Sequence, residues 1–346
     1  MTAAPSPPGL DIERFDDWAA RHLPECTPPV TAERIVGGYS NLTYRVTDAA
    51  GRSFAVRRPP LHGVLPSAHD MGREHRIISA LRGTDVPVPD ALAICDDDSV
   101  LGAPFYVMGF VDGVVLGASS DVDALSLAAR RTVGVSMADT LAALHALDID
   151  AVGLGTLAKR EDYVARQLKR WLQQVQHTKT LDTPAIERAH DLLAERVPPQ
   201  REATIVHGDY RPGNCIVDHD GHVVAVLDWE LCTLGDPLAD VGYLAICWPE
   251  ADREQTARWG PNVEPGFISR AELLERYADR SGRDIGDLAF YVGLAYWRLA
   301  CISEGVLSRT MSGAQGDTRY DAGEGGGRVT LLVELAVEWA AQAPPR

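Results

Sequence analysis

The sequence predicts an α+β protein with two lobes, a small antiparallel sheet lobe at residues 1–111 and a larger, mainly helical lobe at residues 112–346. Short apolar stretches separated by turn residues fill the first third of the chain, which is typical of antiparallel strands. From Asp121 onward, apolar residues recur at steps of three and four, which is typical of buried helix faces. A length of 346 residues fits two such lobes better than one small domain.

The small lobe is expected to hold five strands and one inserted helix. A Pro-rich stretch at residues 1–10 is expected to be a mobile tail, followed by a short helix at 11–23 that ends before Pro24. The predicted strands lie near residues 33–36, 42–46, 54–57, 91–95 and 104–111, and the inserted helix near 71–81.

The large lobe is expected to be helical on both sides of a strand-rich segment at 204–230. The predicted helices lie near residues 133–147, 162–177, 184–196, 236–247, 269–280, 287–307 and 329–342. Residues 308–328 contain six glycines and are expected to form a loop or a lid.

Composition excludes several classes of protein. The chain has 33 Lys and Arg against 49 Asp and Glu, a net charge of −16, so no nucleic-acid partner is expected. Its six cysteines contain no Cys-x-x-Cys pair, which argues against a structural zinc site and against disulfides. The N-terminus lacks a leader pattern, and no uncharged apolar run approaches the length of a membrane span. We therefore expect a cytoplasmic protein with no membrane segment, of unknown oligomeric state.

The most informative segment is a hairpin pattern in the strand-rich part of the large lobe. Apolar residues 216–217 and 223–227 flank an Asp-Gly turn, and Asn214 and Asp228 lie seven residues on either side of the turn glycine. This spacing predicts that the two side chains lie roughly opposite each other at the open end of the hairpin. An amide oxygen and a carboxylate there suit Mg²⁺, which takes few protein ligands. Asp209 is aimed at the same place, and a base beside a hard cation is the arrangement that phosphoryl transfer requires.

A simpler interpretation of these residues is structural. In that interpretation, Asp209 and Asn214 satisfy backbone amides of a turn, and Asp228 caps the following segment. The joint spacing, with both strands correctly placed between the polar residues, favours the functional interpretation.

Three consecutive motifs carry a family resemblance. His-Gly-Asp-x-x-x-x-Asn at 207–214, Leu-Asp-Trp-Glu at 227–230 and Gly-Asp-Pro-Leu-Ala-Asp at 235–240 together resemble the aminoglycoside phosphotransferase family, which has a protein-kinase-like fold. The resemblance covers about residues 30–340. The Arg-Arg-Pro-Pro segment at 57–60 is similar to the subfamily that includes the phosphotransferase part of acyl-CoA dehydrogenase fusion proteins.

The resemblance implies an ATP-dependent phosphotransferase that moves the γ-phosphate to a hydroxyl of a small molecule. It implies that Asp209 is the catalytic base and that Asn214 and Asp228 hold Mg²⁺. The corresponding nucleotide site needs a flexible loop over the phosphates and a hinge between the lobes. The candidate contacts are Gly38, Ser40 and Asn41 in the loop and Met108, Gly109 and Val111 in the hinge.

A kinase-type site also needs a cation on the third strand and an acid on the next helix. Arg57 lies on the third strand, where the family more often has lysine, and Glu74 in the following helix is its expected partner. Strand alternation directs Arg58 to the opposite face, so Arg57 is the preferred cation. A surface ion pair is the alternative interpretation.

Other polar residues near the motifs have expected roles of their own. Arg211 is a candidate for contacting the transferred phosphate, and a solvated arginine is an equal alternative. His207 and Asp240 are expected to hold the catalytic loop in place, and Asp236 to cap the next helix. His145 lies on an apolar helix face and is expected to be a core histidine.

The acceptor is expected in a groove of the large lobe, with Glu230 and Glu304 as candidate lining acids; both also fit solvated surface charges. An aminoglycoside and a metabolite hydroxyl, such as that of a hydroxyacyl compound, are both consistent with the sequence. A catalytically inactive nucleotide-binding module is one alternative, against which the intact motif argues. A protein kinase is the other, and the Phe-Gly and Ala-Pro-Glu features of that class are absent.

Overall fold

The computed structural model describes residues 6–35, 41–61, 70–117, 119–178, 184–248, 264–311 and 322–345. It has a five-stranded antiparallel sheet in the first third of the chain and a larger, mainly helical part after it. The predicted α+β class, with a small sheet lobe and a helical lobe, is therefore confirmed. The boundary between residues 111 and 112 stays a prediction.

Ten strands form three sheets in the described part of the chain. In chain order they are β1 (Thr31–Ile35), β2 (Leu42–Thr47), β3 (Ser53–Arg58), β4 (Ala91–Cys95), β5 (Phe105–Gly109), β6 (Val114–Val115), β7 (Thr204–Val206), β8 (Cys215–Val217), β9 (Val223–Val226) and β10 (Thr233–Gly235). The large sheet has the order β1-β2-β3-β5-β4, with every neighbouring pair antiparallel. In the helical part, β6, β8 and β9 form a second sheet, and β7 pairs with β10.

Ten α-helices occur among the described residues. They are α1 (Ile12–His22), α2 (Met71–Leu81), α3 (Asp98–Leu101), α4 (Leu127–Ala146), α5 (Tyr163–Thr178), α6 (Pro184–Ala194), α7 (Leu238–Ile246), α8 (Arg270–Ser281), α9 (Leu288–Met311) and α10 (Ala322–Gln342). Several of these helices have a capping side chain at the N-terminus. At the start of α2, for example, the Asp70 carboxylate accepts a hydrogen bond from the N–H of Arg73. None of these described helices is both long and apolar enough to cross a membrane.

The predicted loop at 308–328 is shorter than expected. α9 continues to Met311 and α10 begins at Ala322, so only residues 312–321 remain between them, and these lie outside the described residues. The glycines at the start of α10 are poor helix formers, but the apolar residues after them pack against α9. Tertiary packing of that face overrides the local preference of the glycines.

Residues 6–10 are not a free tail. The Tyr44 hydroxyl donates a hydrogen bond to the carbonyl oxygen of Pro8 at 2.5 Å. The buried Arg58 guanidinium donates to the carbonyl oxygen of Gly9 at 2.6 Å. Arg58 therefore points to the outer face of the sheet, as strand alternation predicted, and holds the N-terminal segment there.

Two apolar cores cover the opposite faces of the five-stranded sheet. On the outer face, α1 packs Trp18 against Phe105, with ring centroids 4.8 Å apart. The inner face contributes Ala55 and Tyr106 to the same core as the helical part. Since successive residues of β3 alternate between faces, Arg57 belongs to the inner face, which is the face directed at the hairpin.

Candidate active site

The hairpin of β8 and β9 brings the predicted polar residues to one end of the second sheet. The Leu227 N–H donates to the Asn214 carbonyl oxygen at 2.8 Å, so Asn214 lies opposite Leu227 and not opposite Asp228. The turn is centred on Asp220, one residue before the turn glycine, since the Asp218 N–H donates to the His222 carbonyl oxygen and Val217 pairs with Val223. The shift in strand pairing between Ile216 and Val217 then leaves Asn214 and Asp228 one residue away from facing positions. Asp228 is the first residue after the paired part of the hairpin.

Asp228 has an unusual backbone conformation, with φ 65° and ψ 63°. A non-glycine residue in this left-handed region costs about 1–2 kcal/mol. The chain turns there into a 3₁₀ segment at Trp229–Leu231, and the Asp228 carboxylate lies against β3, where Arg57 Nη2 is 2.5 Å from Oδ1. Such strain is commonly found at functional sites, where the surrounding contacts hold the residue in place.

Asp209 lies in the loop after β7, in contact with Asn214 and Arg211. Asn214 Nδ2 donates to Asp209 Oδ2 at 2.6 Å and to the Asp209 carbonyl oxygen at 2.8 Å. Arg211 Nε lies 3.4 Å from the same Oδ2. Within the described part of the chain, no donor reaches Asp209 Oδ1, and the side chain is 21% exposed. One carboxylate oxygen is thus held by the protein, and the other is available to a hydroxyl group.

Arg211 keeps its positive charge in this position. Burial alone would lower the pKa of its guanidinium, but the charge and hydrogen bond of Asp209, together with Tyr243 and Cys247, outweigh burial and raise the pKa.

Asp240, in the first turn of α7, anchors the loop that carries Asp209. Its carboxylate oxygens accept hydrogen bonds from the His207 N–H at 2.7 Å and the Gly208 N–H at 2.8 Å. His145 Nε2 lies 3.3 Å from the same carboxylate, and His145 Nδ1 lies 2.8 Å from the Tyr277 hydroxyl. The predicted anchor role of Asp240 and the predicted core position of His145 are both confirmed.

His207 connects the Asp209 loop to the hairpin. Its Nδ1 accepts the N–H of Asp209 at 3.1 Å, so the ring proton is on Nε2, which donates to the Leu227 carbonyl oxygen at 2.9 Å. The ring also packs on Trp229, with centroids 4.6 Å apart. The structural role expected for His207 is confirmed.

Arg57 and Glu74 form the predicted pair, and Arg57 also reaches the hairpin. Arg57 Nε lies 3.0 Å from Glu74 Oε2, and the Tyr106 hydroxyl donates to the same oxygen at 3.1 Å. The side chains of Arg57 and Glu74 are 12% and 2% exposed, so this is not a surface ion pair. Burial would lower the pKa of Arg57, but Glu74 and Asp228 outweigh it and raise the pKa, so Arg57 stays charged. Burial raises the pKa of Glu74, even though Arg57 opposes that shift.

Asn41 and Glu230 extend this cluster. Asn41 Nδ2 donates to Glu74 Oε1 at 3.1 Å and to Glu230 Oε2 at 3.2 Å. Glu230 therefore lies against the small lobe, beside Arg57, and its role as an acid that lines the acceptor groove stays a prediction. The left-handed turn at Asp228 is the physical reason for this position, because it directs the following 3₁₀ segment toward α2.

Glu304 differs from its prediction. It is fully buried in α9, a helix covered by α10, so it is neither a solvated surface charge nor part of an exposed groove.

The hinge candidates end the fifth strand. Met108 is buried in β5, and Gly109 is its last residue, so the strand stops two residues before the predicted end at Val111. The Gly109 N–H donates to the Asp90 carbonyl oxygen at 2.9 Å, so this N–H is already bonded within the small lobe. Gly38 and Ser40 lie outside the described residues.

The donor set at the end of the hairpin fits a hard divalent cation. Because Asn214 Nδ2 is bonded to Asp209, the Asn214 Oδ1 atom lies on the side of the amide group that faces away from Asp209. Together with the Asp228 carboxylate, whose side chain is 26% exposed, this gives oxygen ligands of the kind that Mg²⁺ takes.

Two arginines in this region were not found from the sequence. Arg298 of α9 donates from Nη2 to the Gly208 carbonyl oxygen at 2.5 Å, and Arg73 of α2 donates from Nη2 to the Cys232 carbonyl oxygen at 2.7 Å. Neither lies in a recognisable motif, and both contacts join residues that are distant in the chain, so no local pattern indicates them.

The chain is similar to known phosphotransferases over nearly its whole length. The sequence profile of the phosphotransferase enzyme family matches residues 31–291. Acyl-CoA dehydrogenase family member 10 of Mus musculus is 34% identical over 326 residues, which are 91% of this chain and 30% of that protein. The chain therefore spans less than a third of that relative's length.

Solved structures agree with the profile match. A protein of Ralstonia eutropha JMP134 assigned to the aminoglycoside phosphotransferases superposes with a TM-score of 0.80 at 33% identity, covering 97% of this chain and 99% of that one. The aminoglycoside phosphotransferase APH(4)-Ia, in complex with AMP-PNP and hygromycin B, has the same fold, with a TM-score of 0.58 at 20% identity over 89% of this chain and 95% of that one. The predicted resemblance and the protein-kinase-like fold are confirmed: this chain belongs to the phosphotransferase enzyme family.

Proposed function

We propose that the protein is an ATP-dependent phosphotransferase that moves the γ-phosphate to a hydroxyl group of a small molecule. The observation that carries the proposal is the arrangement around the hairpin end. Asp209 and Asn214 are in direct contact, and Arg57 joins Asp228 to Glu74 across the two lobes. A base, oxygen ligands and a charged arginine on one hairpin and the strand that it contacts support this proposal, because phosphoryl transfer requires these groups.

Asp209 is proposed as the catalytic base. Its Oδ2 atom is held by Asn214, and its backbone N–H by His207, so the remaining Oδ1 atom has a fixed direction. A carboxylate held in this way orients the acceptor hydroxyl and accepts its proton as the bond to phosphorus forms. Most of the rate enhancement would come from this positioning and from fixed charges, since phosphoryl transfer needs little covalent chemistry from the protein.

Arg57 and Glu74 are proposed to position the nucleotide. The Arg57 guanidinium has several N–H donors and can contact phosphate oxygens while Glu74 and Tyr106 hold its position. We propose that the carbonyl group of Gly109 and the N–H of Val111 bind the adenine edge, beside the buried Met108. From the sequence, Gly38, Ser40 and Asn41 are proposed to cover the phosphates.

Asn214 and Asp228 are the residues that would hold Mg²⁺. Held there, Mg²⁺ would supply positive charge that offsets the charge developing on the transferred phosphate. Arg211, charged and in contact with Asp209, is proposed to contact the transferred phosphate from the side of the acceptor.

A small-molecule acceptor is supported by the family and by its solved members. The solved complex with hygromycin B holds a small molecule, and the activation-segment features of protein kinases are absent from this sequence. A cytoplasmic location is proposed as well. It is supported by the six cysteines, which are all free and buried, as expected in a reducing compartment.

The test is a turnover screen with Mg-ATP and a panel of aminoglycosides, sugars, amino alcohols and hydroxyacyl thioesters. We expect ADP formation with at least one class and a loss of at least about a hundredfold in Asp209→Asn, because general base catalysis is worth that much. Asp220→Asn, an exposed carboxylate at the tip of the same hairpin, is the matched control and should keep wild-type turnover. Tight Mg-ATP binding with no turnover on any acceptor would instead support the inactive nucleotide-binding module.

A further inference from the structure

The peptide that joins Gly208 to Asp209 is held by a residue outside the family motifs. On its N-terminal side, Asp240 accepts the Gly208 N–H at 2.8 Å. The carbonyl oxygen of Gly208 accepts a hydrogen bond from Arg298 Nη2 at 2.5 Å. Arg298 comes from α9, so a late helix of the chain is in direct contact with the backbone beside the proposed base.

Gly208 needs this external contact because of its own geometry. Its φ is +84°, and a Cβ atom at this position would lie 2.7 Å from the Leu231 carbonyl oxygen, so only glycine fits. Glycine also has the freest backbone of all residues, and a peptide next to it rotates easily. The position therefore requires the residue that is least able to fix the direction of Asp209. The N–H of this peptide, that of Asp209, is bonded to His207 Nδ1 at 3.1 Å, and the contact from Arg298 restrains its carbonyl side.

The Arg298 side chain is itself fixed, and its charge lies close to the site. Its Cζ atom is 4.6 Å from the centre of the Tyr243 ring, a cation–π contact. Among the described residues, no carboxylate forms an ion pair with Arg298. The charges of Asp209, Arg211 and Arg298 all act on the Tyr243 hydroxyl, whose pKa is raised mainly by burial, so these groups share one neighbourhood.

We propose that Arg298 is a positioning residue for phosphoryl transfer: it fixes the peptide between Gly208 and Asp209 and thereby aims the Asp209 carboxylate at the acceptor hydroxyl. The inference rests on the proposed function. It goes beyond a stabilising role for Arg298, because it requires that the loss of this contact slows the chemical step more than it weakens nucleotide binding. A displacement of about 1 Å at a reacting group costs on the order of a hundredfold in rate.

The experiment compares Arg298→Ala and Arg298→Lys with the wild-type chain. Two readouts are used: Mg-ATP turnover with the best acceptor and with water, and hydrogen exchange of the backbone N–H groups at 207–209. For Arg298→Ala we expect kcat to fall by about a hundredfold, with KM for ATP unchanged, because Arg57 and the hinge are not altered. Added methylguanidinium should restore part of the kcat of Arg298→Ala, and Arg298→Lys should be intermediate. Arg196→Ala, which removes another arginine bonded to a backbone carbonyl oxygen, is the control and should retain wild-type kcat.

Hydrogen exchange separates this inference from the proposed function. If the wild-type chain shows no turnover at all, the proposed function fails, but exchange at 207–209 still tests the positioning role. Faster exchange in Arg298→Ala confined to these residues supports positioning of the loop. Unchanged exchange, a wild-type kcat, or a loss of kcat that methylguanidinium does not restore would each overturn it.

Discussion

Asp240→Asn tests the anchor of the Asp209 loop most directly. The carboxylate accepts two backbone N–H groups, those of His207 and Gly208, at 2.7 and 2.8 Å, while His145 lies at 3.3 Å. Asparagine has one acceptor oxygen in place of two, so one of the N–H groups would face an NH₂ group. A buried donor without a partner costs about 1–3 kcal/mol, and exchanging the remaining charge-assisted bond for a neutral one costs about 1 kcal/mol more. We expect the free energy of unfolding to fall by about 2–4 kcal/mol.

The pH dependence gives this prediction a second readout. Burial alone would raise the pKa of Asp240, but its interactions with His145, His207 and the Gly208 N–H together outweigh burial, so the pKa lies below its ordinary value of 3.8. A carboxylate whose pKa is lowered by folding contributes stability that is complete above the unfolded pKa and is lost as the pH falls through the folded pKa. Asparagine does not titrate. The stability difference between wild type and Asp240→Asn should therefore be constant near neutral pH and shrink below a pH of about 3.8.

The assay is urea unfolding followed by tryptophan fluorescence, at neutral pH and in acid, together with turnover of Mg-ATP. Asp139→Asn, which removes an exposed ion pair with Arg276, is the control and should change stability by less than about 1 kcal/mol. The anchor role would be refuted if Asp240→Asn were as stable as the control and kept wild-type turnover.

Three further expectations follow from single contacts. Arg57→Met leaves the Glu74 and Asp228 carboxylates without their shared cation, so the free energy of unfolding should fall by about 3–5 kcal/mol in urea titrations. Arg57→Lys should be intermediate. An unchanged unfolding midpoint in Arg57→Met would contradict the stabilising role of the buried ion pair. Gly221→Ala should lower the melting temperature in calorimetry, because its φ is +90° and a Cβ atom would lie close to the Ala129 carbonyl oxygen. The matched control is Gly51→Ala, where φ is +82° and no atom lies within 4 Å of the new Cβ, so an equal effect of both changes would contradict the clash. The six buried cysteines should react slowly with Ellman's reagent in the native chain and rapidly after unfolding. The physical reason is burial, which excludes the reagent and raises the pKa of Cys215 and Cys247 to about 12. Rapid labelling of the folded protein would show that the thiols are accessible.

Features encoded by local patterns were predicted well from the sequence. The helix expected near 71–81 has those bounds in the structure, since its capping aspartate and its apolar spacing are both local signals. The contact between Asp209 and Asn214 also follows from residues that are close in the chain. Arg57 and Glu74 meet because strand alternation and helix placement direct both side chains to the inner face of the sheet.

Features that depend on distant packing were missed or misplaced. The one-residue offset in the hairpin arises because the turn is centred on Asp220 instead of the turn glycine and the strand pairing then shifts by one residue, and no residue type indicates either feature. The contact of Glu230 with Asn41 was not predicted, because it depends on the left-handed turn at Asp228, which is unusual for a non-glycine residue. Arg298 contacts Gly208 across 90 positions of the chain, and a contact of that kind depends on how helices pack rather than on any motif.

The N-terminal segment has a practical consequence for truncated versions of this protein. The family profile begins matching at residue 31, yet Leu10, Phe15 and Trp18 are buried on the outer face of the sheet. A chain that begins at residue 31 would expose the apolar outer face of the sheet to solvent. It would also remove the Gly9 carbonyl oxygen, which accepts a hydrogen bond from the Arg58 guanidinium. Such a fragment should aggregate during expression, so domain limits taken from profile matches alone would cut through the folding unit.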